Sequence, residues 1–270
     1  ADAELCLRSG MPIAPDRVRG ALETIRSRVV RTPLLESPLL NELVRSRRGV
    51  ADARVFVKAE CLQHTGAFKF RGALHKLLCM DDETRGRGVC AFSSGNFAQA
   101  LALAARETGV QCTIIAPHDA PAVKMERTRG YGAELLFSTP AAGENREVAA
   151  AALAERFSAT SGRRPLPTTG LNPRRVRYSG GVVLGRTLLH PFDDADVILG
   201  QGTLALELFE QHAEAGAAGG AGGGRVAPLS RLLVPTGGGG MAGGCCLARD
   251  AYLPISPRIS PYLPRRRLLP

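Results

Sequence analysis

The spacing of hydrophobic residues predicts two helices and a strand in the first sixty positions. Between residues 15 and 30 the apolar side chains recur every three or four positions, as on one face of a helix; they are Val18, Leu22, Ile25 and Val29. Ser37 followed by Pro38 is typical of an N-cap and first helical turn, which predicts a second helix through Leu43. The β-rich, alternating segment RVFVKAE at positions 54–60 predicts a strand.

Helices and strands are then expected to alternate. An apolar helical face formed by Ala73, Leu74, Leu77 and Leu78 places Lys69 at a strand-to-helix transition. The segments VCAF, CTIIAP and ELLF read as strands, and they alternate with the helical segments NFAQALALAARE, APAVKMERTRG and an alanine-rich stretch at 144–157. Because strands that alternate with helices pair in parallel, we predict an α/β fold with helices on both faces of a parallel sheet.

The second half of the chain is less regular. Residues 158–189 are rich in Pro, Arg and Gly and are predicted to form a long loop or insertion. In the segment 196–211 we expect a short VIL strand before a buried helix, and LLVP at 232–235 is expected to be a strand that leads through GGGG into another helix. The proline-rich tail at 253–270 shows no period and predicts no regular element.

Length and composition indicate a globular protein. A chain of 270 residues that is 44% hydrophobic can bury the core of one large or two moderate domains. No apolar run approaches the roughly 20 residues that cross a bilayer, and the N-terminus lacks the features of a signal peptide. We therefore expect a cytoplasmic protein without a membrane partner, or one whose organelle-targeting peptide has been removed. The seven cysteines form no CxxC pair and the five histidines have no metal-ligand spacing, so no metal site is predicted.

The net charge of +10 comes almost entirely from two arginine-rich segments. Neither segment contains an acid, and the rest of the chain is close to neutral; the arginines are Arg163, Arg164, Arg174, Arg175, Arg177, Arg258, Arg265, Arg266 and Arg267. A basic face is therefore not predicted for the globular part, and we expect no nucleic-acid partner. Binding of nucleic acid through these arginines is a competing hypothesis.

Candidate chemistry begins at the segment TGAFKFRGA, residues 65–73. Lys69 lies between Phe68 and Phe70, and partial desolvation there would favour the neutral amine, a nucleophile that can form an imine. A solvated helix lysine is the alternative, and the local sequence alone favours it.

A glycine loop, residues 237–240, follows a predicted strand and precedes a predicted helix. Its backbone N–H groups and the helix dipole suit a phosphate. It is not a Walker loop, because no Gly-Lys-Ser/Thr ends it. Gly238, Gly240 and Gly243 fit a dinucleotide fingerprint, but nothing acidic follows Asp250 at the required distance. A plain tight turn is the remaining alternative.

A serine loop, residues 93–96, also lies between a predicted strand and a predicted helix. Its N–H groups and the Asn96 side chain could hold a carboxylate, although ordinary helix capping explains the same residues. Because ligands of α/β sheets bind at the carboxyl ends of strands, we expect the serine loop and the glycine loop to lie near each other.

Three separated motifs, KAECLQHTGAFKFRGA, SSGNFAQALALAA and VPTGGGGMAGG, together resemble pyridoxal-phosphate enzymes of the tryptophan synthase β-like fold. The resemblance is to the serine racemase and serine/threonine dehydratase group, and it covers most of residues 15–250 apart from the insertion. It implies the fold type II architecture, with two domains that are each built on a parallel sheet.

The domain bounds follow from this resemblance. Residues 1–82 and 190–252 would form the large cofactor domain, residues 83–189 the small domain with the insertion near 158–189, and residues 253–270 an irregular tail. Because the chain ends shortly after the glycine loop, we expect the large domain to be incomplete.

The resemblance also implies residue roles. Lys69 forms an imine with pyridoxal phosphate and moves the α-proton on one face of the substrate, and Ser94 is the acid and base on the other face. The cofactor is held by Phe68, Lys69, Asn96, Gly237, Gly238, Gly239, Gly240 and Met241. The substrate carboxylate is bound by Ser93, Ser94, Gly95 and Asn96.

The implied function is a serine racemase, a serine or threonine ammonia-lyase (dehydratase), or both, acting on a small amino acid as a homodimer. The group can use a divalent cation, but the acidic ligands for it are not present in this chain. Phe97 stands where the group's SSGNH motif has histidine. The alternative is a truncated, catalytically inactive homologue.

Overall fold

The computed structural model describes residues 13–138, 182–183, 185–217 and 227–252, and within them helices alternate with strands. The helices are α1 Arg17–Ile25, α2 Pro38–Arg48, α3 Lys69–Leu78, α4 Asp82–Arg87, α5 Asn96–Thr108, α6 Ala122–Gly130, α7 Ala195–Ala217 and α8 Gly240–Tyr252. The strands are β1 Leu34–Glu36, β2 Phe56–Lys58, β3 Val89–Phe92, β4 Cys112–Pro117, β5 Glu134–Ser138, β6 Val182–Val183 and β7 Arg186–Leu188. The predicted helix at 144–157, the arginine-rich segments and the tail lie outside these residues.

A parallel sheet forms the centre of the α/β part, as the alternating pattern predicts. Its strand order is β5-β4-β3-β7-β6. The first four strands in that order are parallel, with Val89 paired to Cys112 on one side and to Thr187 on the other, and β6 runs antiparallel at the edge. All six residues of β4 are buried, as expected of a strand covered on both faces. A separate antiparallel pair is formed by β1 and β2.

The helices predicted near the N-terminus are confirmed, with shifted ends. Val18, Leu22 and Ile25 are buried on one face of α1. The Ser37 hydroxyl accepts a hydrogen bond from the Leu40 N–H at 3.3 Å, so it caps α2, which continues past the predicted end to Arg48. None of the described helices is long and apolar enough to cross a membrane.

Three sequence-based assignments are wrong. The loop predicted for 158–189 ends in β6 and β7, because the buried run at Arg186–Leu188 pairs with β3. The VIL strand is part of helix α7, whose start is capped by Asp194: its carboxylate accepts from the N–H groups of Asp196 at 2.9 Å and Val197 at 3.1 Å. The LLVP segment at 232–235 is not a strand, since no described strand pairs with it.

Helix α7 packs against both α3 and α8 through glycines. A Cβ atom added at Gly200 would lie 2.7 Å from the Gly72 Cα, and one added at Gly202 would lie 2.6 Å from the Gly244 carbonyl oxygen. The helix backbones are therefore in direct contact, and a larger residue at either position would force the helices apart. This packing fixes the start of α3, which carries Lys69, relative to the start of α8, which carries the glycine loop.

Candidate active site

Lys69 is half-buried among aromatic rings at the start of α3. Its Nζ donates a hydrogen bond to the Pro191 carbonyl oxygen at 2.7 Å. The same nitrogen lies 5.3 Å from the centre of the Phe68 ring, 5.8 Å from that of Phe97 and 6.0 Å from that of Phe192. The structure therefore favours the partly desolvated lysine over the fully solvated alternative.

Burial lowers the pKa of Lys69 to about 8. At pH 7.4, an amine with this pKa is about one-fifth neutral, whereas an ordinary lysine is about 0.1% neutral. Lys58 and Lys76 have carboxylate partners instead, Glu207 at 2.7 Å and Asp194 at 3.0 Å. Among these three lysines, Lys69 thus has the environment that suits a nucleophile or a base at neutral pH.

The serine loop connects β3 to α5 beside this lysine. Phe97, in the first turn of α5, is 3% exposed and supplies one of the three rings. The Gly95 N–H points to the Ser93 hydroxyl at 3.4 Å, and Asn96 is exposed, with its Oδ1 at 3.5 Å from the Lys124 Nζ. The first N–H groups of α5 have no partner within the helix, as a carboxylate site requires.

The glycine loop leads into α8 and faces Phe192. Gly237, Gly238 and Gly239 are exposed, whereas Gly240 is buried. Gly239 has a φ of +87°, a conformation that side chains other than glycine rarely adopt. A Cβ atom at Gly238 would lie 2.3 Å from the Phe192 ring, so this ring packs directly against the loop.

Alanine substitutions in the glycine loop test this contact. We expect Gly238→Ala to destabilise the cofactor-free chain by about 1–3 kcal/mol, because the loop or the Phe192 ring must move. Gly237→Ala is the matched control, since nothing lies within 4 Å of the added Cβ, and it should change the free energy of unfolding by less than about 0.5 kcal/mol. Urea unfolding measures both values, and equal effects would contradict the packing described here.

Pro191 and Phe192 are site residues that the sequence analysis did not identify. They contact Lys69 on one side and the glycine loop on the other, and Phe192 packs edge-on against His190 with ring centres 4.4 Å apart. The segment follows β7, so the rule that ligands bind at strand ends would have indicated it if β7 had been recognised. Together these residues bring Lys69, the serine loop and the glycine loop to one side of the molecule.

A buried ionic cluster lies two residues beyond Lys69. The Arg71 side chain is 0% exposed and donates to both oxygens of Glu60, each at 2.9 Å, and to both oxygens of Glu207, each at 2.8 Å. Lys58 donates to the same Glu207 at 2.7 Å. Burial is the largest single influence on the pKa of Glu207 and raises it, but the hydrogen bonds and positive charges of Arg71 and Lys58 together outweigh burial, so the pKa is lowered. The cluster ties α3 to α7 directly behind the lysine.

The arrangement fits pyridoxal phosphate. The exposed glycines at the start of a 13-residue helix offer unpaired N–H groups to a phosphate, with open space in front of Gly237 and Gly239. The Phe192 ring, which packs on this loop, lies 6.0 Å from the Lys69 Nζ. Phe68 and Lys69 could therefore contact the ring and the aldehyde carbon of a cofactor whose phosphate is held by the loop. Met241, the next residue of α8, is half-buried.

Comparison with known proteins supports this reading. The family model described as "Pyridoxal-phosphate dependent enzyme" matches residues 25–261. The chain is 36% identical over 237 residues to the L-threo-3-hydroxyaspartate ammonia-lyase of Saccharomyces cerevisiae. The matched region covers 88% of this chain and 58% of the relative. It is 33% identical over 237 residues to the serine racemase of Arabidopsis thaliana, covering 88% of the chain and 57% of the relative.

Among solved structures, maize serine racemase matches with a TM-score of 0.67 and 31% identity, covering 90% of this chain and 59% of that one. The predicted α/β fold of these enzymes is thereby confirmed, with one parallel sheet among the described residues. The second sheet and the domain bounds stay predictions. The chain spans less than two-thirds of the length of each of the three proteins.

Proposed function

We propose, because the chain belongs to the pyridoxal-phosphate dependent enzyme family, that it acts on serine or threonine as an ammonia-lyase, a racemase or both. The observation that carries the proposal is the half-buried Lys69, which has three phenyl rings around its amine and a pKa of about 8. A lysine in such a place can attack a carbonyl carbon and can later exchange a proton with carbon.

The glycine loop and α8 would hold the cofactor by its phosphate. The N–H groups of Gly239, Gly240 and Met241 lie at the start of α8, where the helix dipole also favours an anion. Phe68 would pack against the cofactor ring, and Asn96 would donate to its oxygen. When bound, pyridoxal phosphate supplies an electron sink for the electrons of a broken Cα–H bond.

The remaining residues would bind the substrate and move its proton. The N–H groups of the serine loop would orient the substrate carboxylate at the start of α5. Lys69 would remove the α-proton on one face. Ser94 would exchange a proton on the opposite face. Racemisation requires such a second group, whereas elimination of water needs only one base and a leaving hydroxyl group.

The aromatic rings would keep water from the lysine. Phe97 is 3% exposed, and together with Phe192 it replaces polar surroundings by apolar carbon near the amine. This apolar setting keeps the amine partly neutral, and it would also strengthen electrostatic contacts once a substrate excludes solvent.

The direct test is turnover by the purified chain after addition of pyridoxal phosphate. We expect L-serine or L-threonine to yield ammonia and a 2-oxo acid, or L-serine to yield D-serine. Cofactor attachment without either product would support the alternative, an inactive homologue. A chain that takes up no cofactor would overturn the proposed activity and would also leave the inactive homologue.

The pH dependence of cofactor attachment gives a further prediction. Only the neutral amine attacks the aldehyde, so the attachment rate should rise as the pH increases through about 8 and level off near pH 9. Between pH 7.4 and 9 we expect a rise of about fourfold, whereas a lysine with an unshifted pKa would show a rise of about 40-fold. Stopped-flow absorbance distinguishes the two results.

Two partner predictions remain untested. We expect a homodimer in solution, which sedimentation would measure directly. We expect no binding of nucleic acid. The arginine-rich segments that could bind it lie outside the described residues. Salt-dependent binding of RNA to the purified chain would show that the expectation is wrong.

A further inference from the structure

A second cluster of chemically active side chains joins the end of α3 to the start of α7. His75 lies in the last turn of α3, and Cys79, four residues later, is the C-cap residue that follows Leu78. Asp196 lies in the first turn of α7. Each residue offers one possible ligand atom, and these three atoms lie within 4.8 Å of one another. His75 and Asp196 are buried, and Cys79 is half-buried.

The imidazole is oriented as a ligand. The His75 Nδ1 lies 2.7 Å from the backbone carbonyl oxygen of Asp196. A carbonyl can only accept, so we assign the ring proton to Nδ1 and the lone pair to Nε2. Nε2 lies 3.3 Å from the Cys79 Sγ. Histidine usually binds zinc in this way: one ring nitrogen donates its proton to a carbonyl or carboxylate, and the other nitrogen faces the metal.

Charged side chains of α1, α3 and α7 surround the imidazole. The groups that face it are Asp196 and the cations Lys76 and Arg17.

The spacing of the donors suits a tetrahedral zinc ion. With a Zn–N distance of about 2.0 Å and a Zn–S distance of about 2.3 Å, the two donors of a tetrahedral site lie about 3.5 Å apart. The Nε2 to Sγ distance is 3.3 Å, so those two side chains need little movement. Rotation of the Asp196 side chain would bring in the third donor.

The surrounding charges allow this rotation. Lys76 donates to Asp196 at 2.9 Å and also lies 3.0 Å from Asp194, while Arg17 is 3.9 Å from Asp196. If Asp196 turned to a metal ion, Lys76 would keep Asp194 as its carboxylate partner. The positive charge of the ion would then be balanced by two anions, the Asp196 carboxylate and the Cys79 thiolate.

We propose that His75, Cys79 and Asp196 form a three-ligand zinc site, with water in the fourth position. Nitrogen and sulfur donors select zinc over magnesium or calcium. On binding, the Cys79 thiol releases its proton to solvent and the sulfur forms the bond to the metal. The ion clamps the end of α3 to α7, at the opposite end of α3 from Lys69.

The histidines have no metal-ligand spacing along the sequence, so this cluster is not predicted from the sequence. The signal that was available is the four-residue spacing of His75 and Cys79, which places both donors on one face of α3. The third donor could not be found this way, because Asp196 lies 121 residues beyond His75.

Cobalt is the spectroscopic probe for this site. Cobalt(II) chloride added to the full, metal-free chain should give a thiolate-to-cobalt charge-transfer band that saturates at one ion per chain, and added zinc should remove the band. The band should be lost in Cys79→Ser and kept in Cys61→Ser, a control that removes an exposed cysteine. His75→Gln should weaken cobalt binding at least tenfold.

Thermal unfolding supplies a second readout. Zinc at about 100 times its dissociation constant should raise the Tm of the wild-type chain by about 5 °C, reversibly with a chelator, and should not raise that of Cys79→Ser. The proposal is overturned if the wild-type chain shows no charge-transfer band, if Cys79→Ser retains it, or if Cys61→Ser loses it equally. These measurements need no pyridoxal phosphate, so their outcome is independent of the proposed activity.

Discussion

Lys69→Arg is expected to abolish turnover, with kcat for 2-oxo acid formation falling at least about 10³-fold. Arginine keeps a positive charge at the start of α3, but its guanidinium is not deprotonated at working pH and cannot attack the aldehyde. The effect should therefore appear both in turnover and in the absorbance of the attached cofactor, which should be absent. Steady-state assay of 2-oxo acid and an absorbance spectrum of the loaded protein measure the two effects.

Lys76→Arg is the matched control. It is the same substitution on the same helix, and an arginine there can keep the ion pairs to Asp194 at 3.0 Å and Asp196 at 2.9 Å. We expect its kcat to stay within about threefold of wild type. If the two variants lost activity to the same degree, the loss would reflect folding of α3, and the role given to Lys69 would be wrong.

Arg71→Met is expected to have the largest effect on stability. Without the guanidinium, the carboxylates of Glu60 and Glu207 lose four hydrogen bonds of 2.8–2.9 Å in a buried setting. Removing one partner of a buried ion pair leaves an uncompensated charge and costs about 3–5 kcal/mol. We expect the free energy of unfolding to fall by that amount, with a large decrease in the urea midpoint or the loss of a cooperative transition.

Arg54→Met removes an exposed arginine of similar geometry. Arg54 donates to both oxygens of Glu36, at 3.0 Å and 2.7 Å, but the two side chains are 43% and 34% exposed. Solvent screens such a pair, so we expect a change of only about 0–1 kcal/mol. Similar urea midpoints for the two variants would show that the Arg71 cluster is not dry and does not hold α3 to α7.

Local patterns predicted the elements whose hydrophobic period is unambiguous. The face of α1 and the alternation from β3 to β5 were readable because each element buries its own apolar residues. Strand β7 was missed because its three residues include Arg186 and follow a proline- and arginine-rich stretch, and only pairing with β3 makes it a strand. The VIL segment is β-branched in two of three positions, but the Asp194 cap and the packing of Gly200 on Gly72 make it helical.

For the same reason, only part of the candidate site could be proposed from the sequence. Lys69 and the two loops stand out locally, as small or aromatic residues at strand-to-helix transitions. Phe192 contacts Lys69 and the glycine loop only because α7 packs between α3 and α8, which no local pattern encodes. The Arg71 cluster was missed because charged residues are expected at the surface, and the pairing of Arg71 with Glu207 spans 136 residues of sequence.

Chemical trapping of the cofactor tests the central claim most directly. The purified chain is incubated with pyridoxal phosphate, reduced with borohydride, digested and analysed by mass spectrometry. The chain has four lysines, Lys58, Lys69, Lys76 and Lys124, so each adduct can be assigned to one position. We predict a single adduct on Lys69 at one cofactor per chain; an adduct spread over the four lysines, or none on Lys69, would contradict the account.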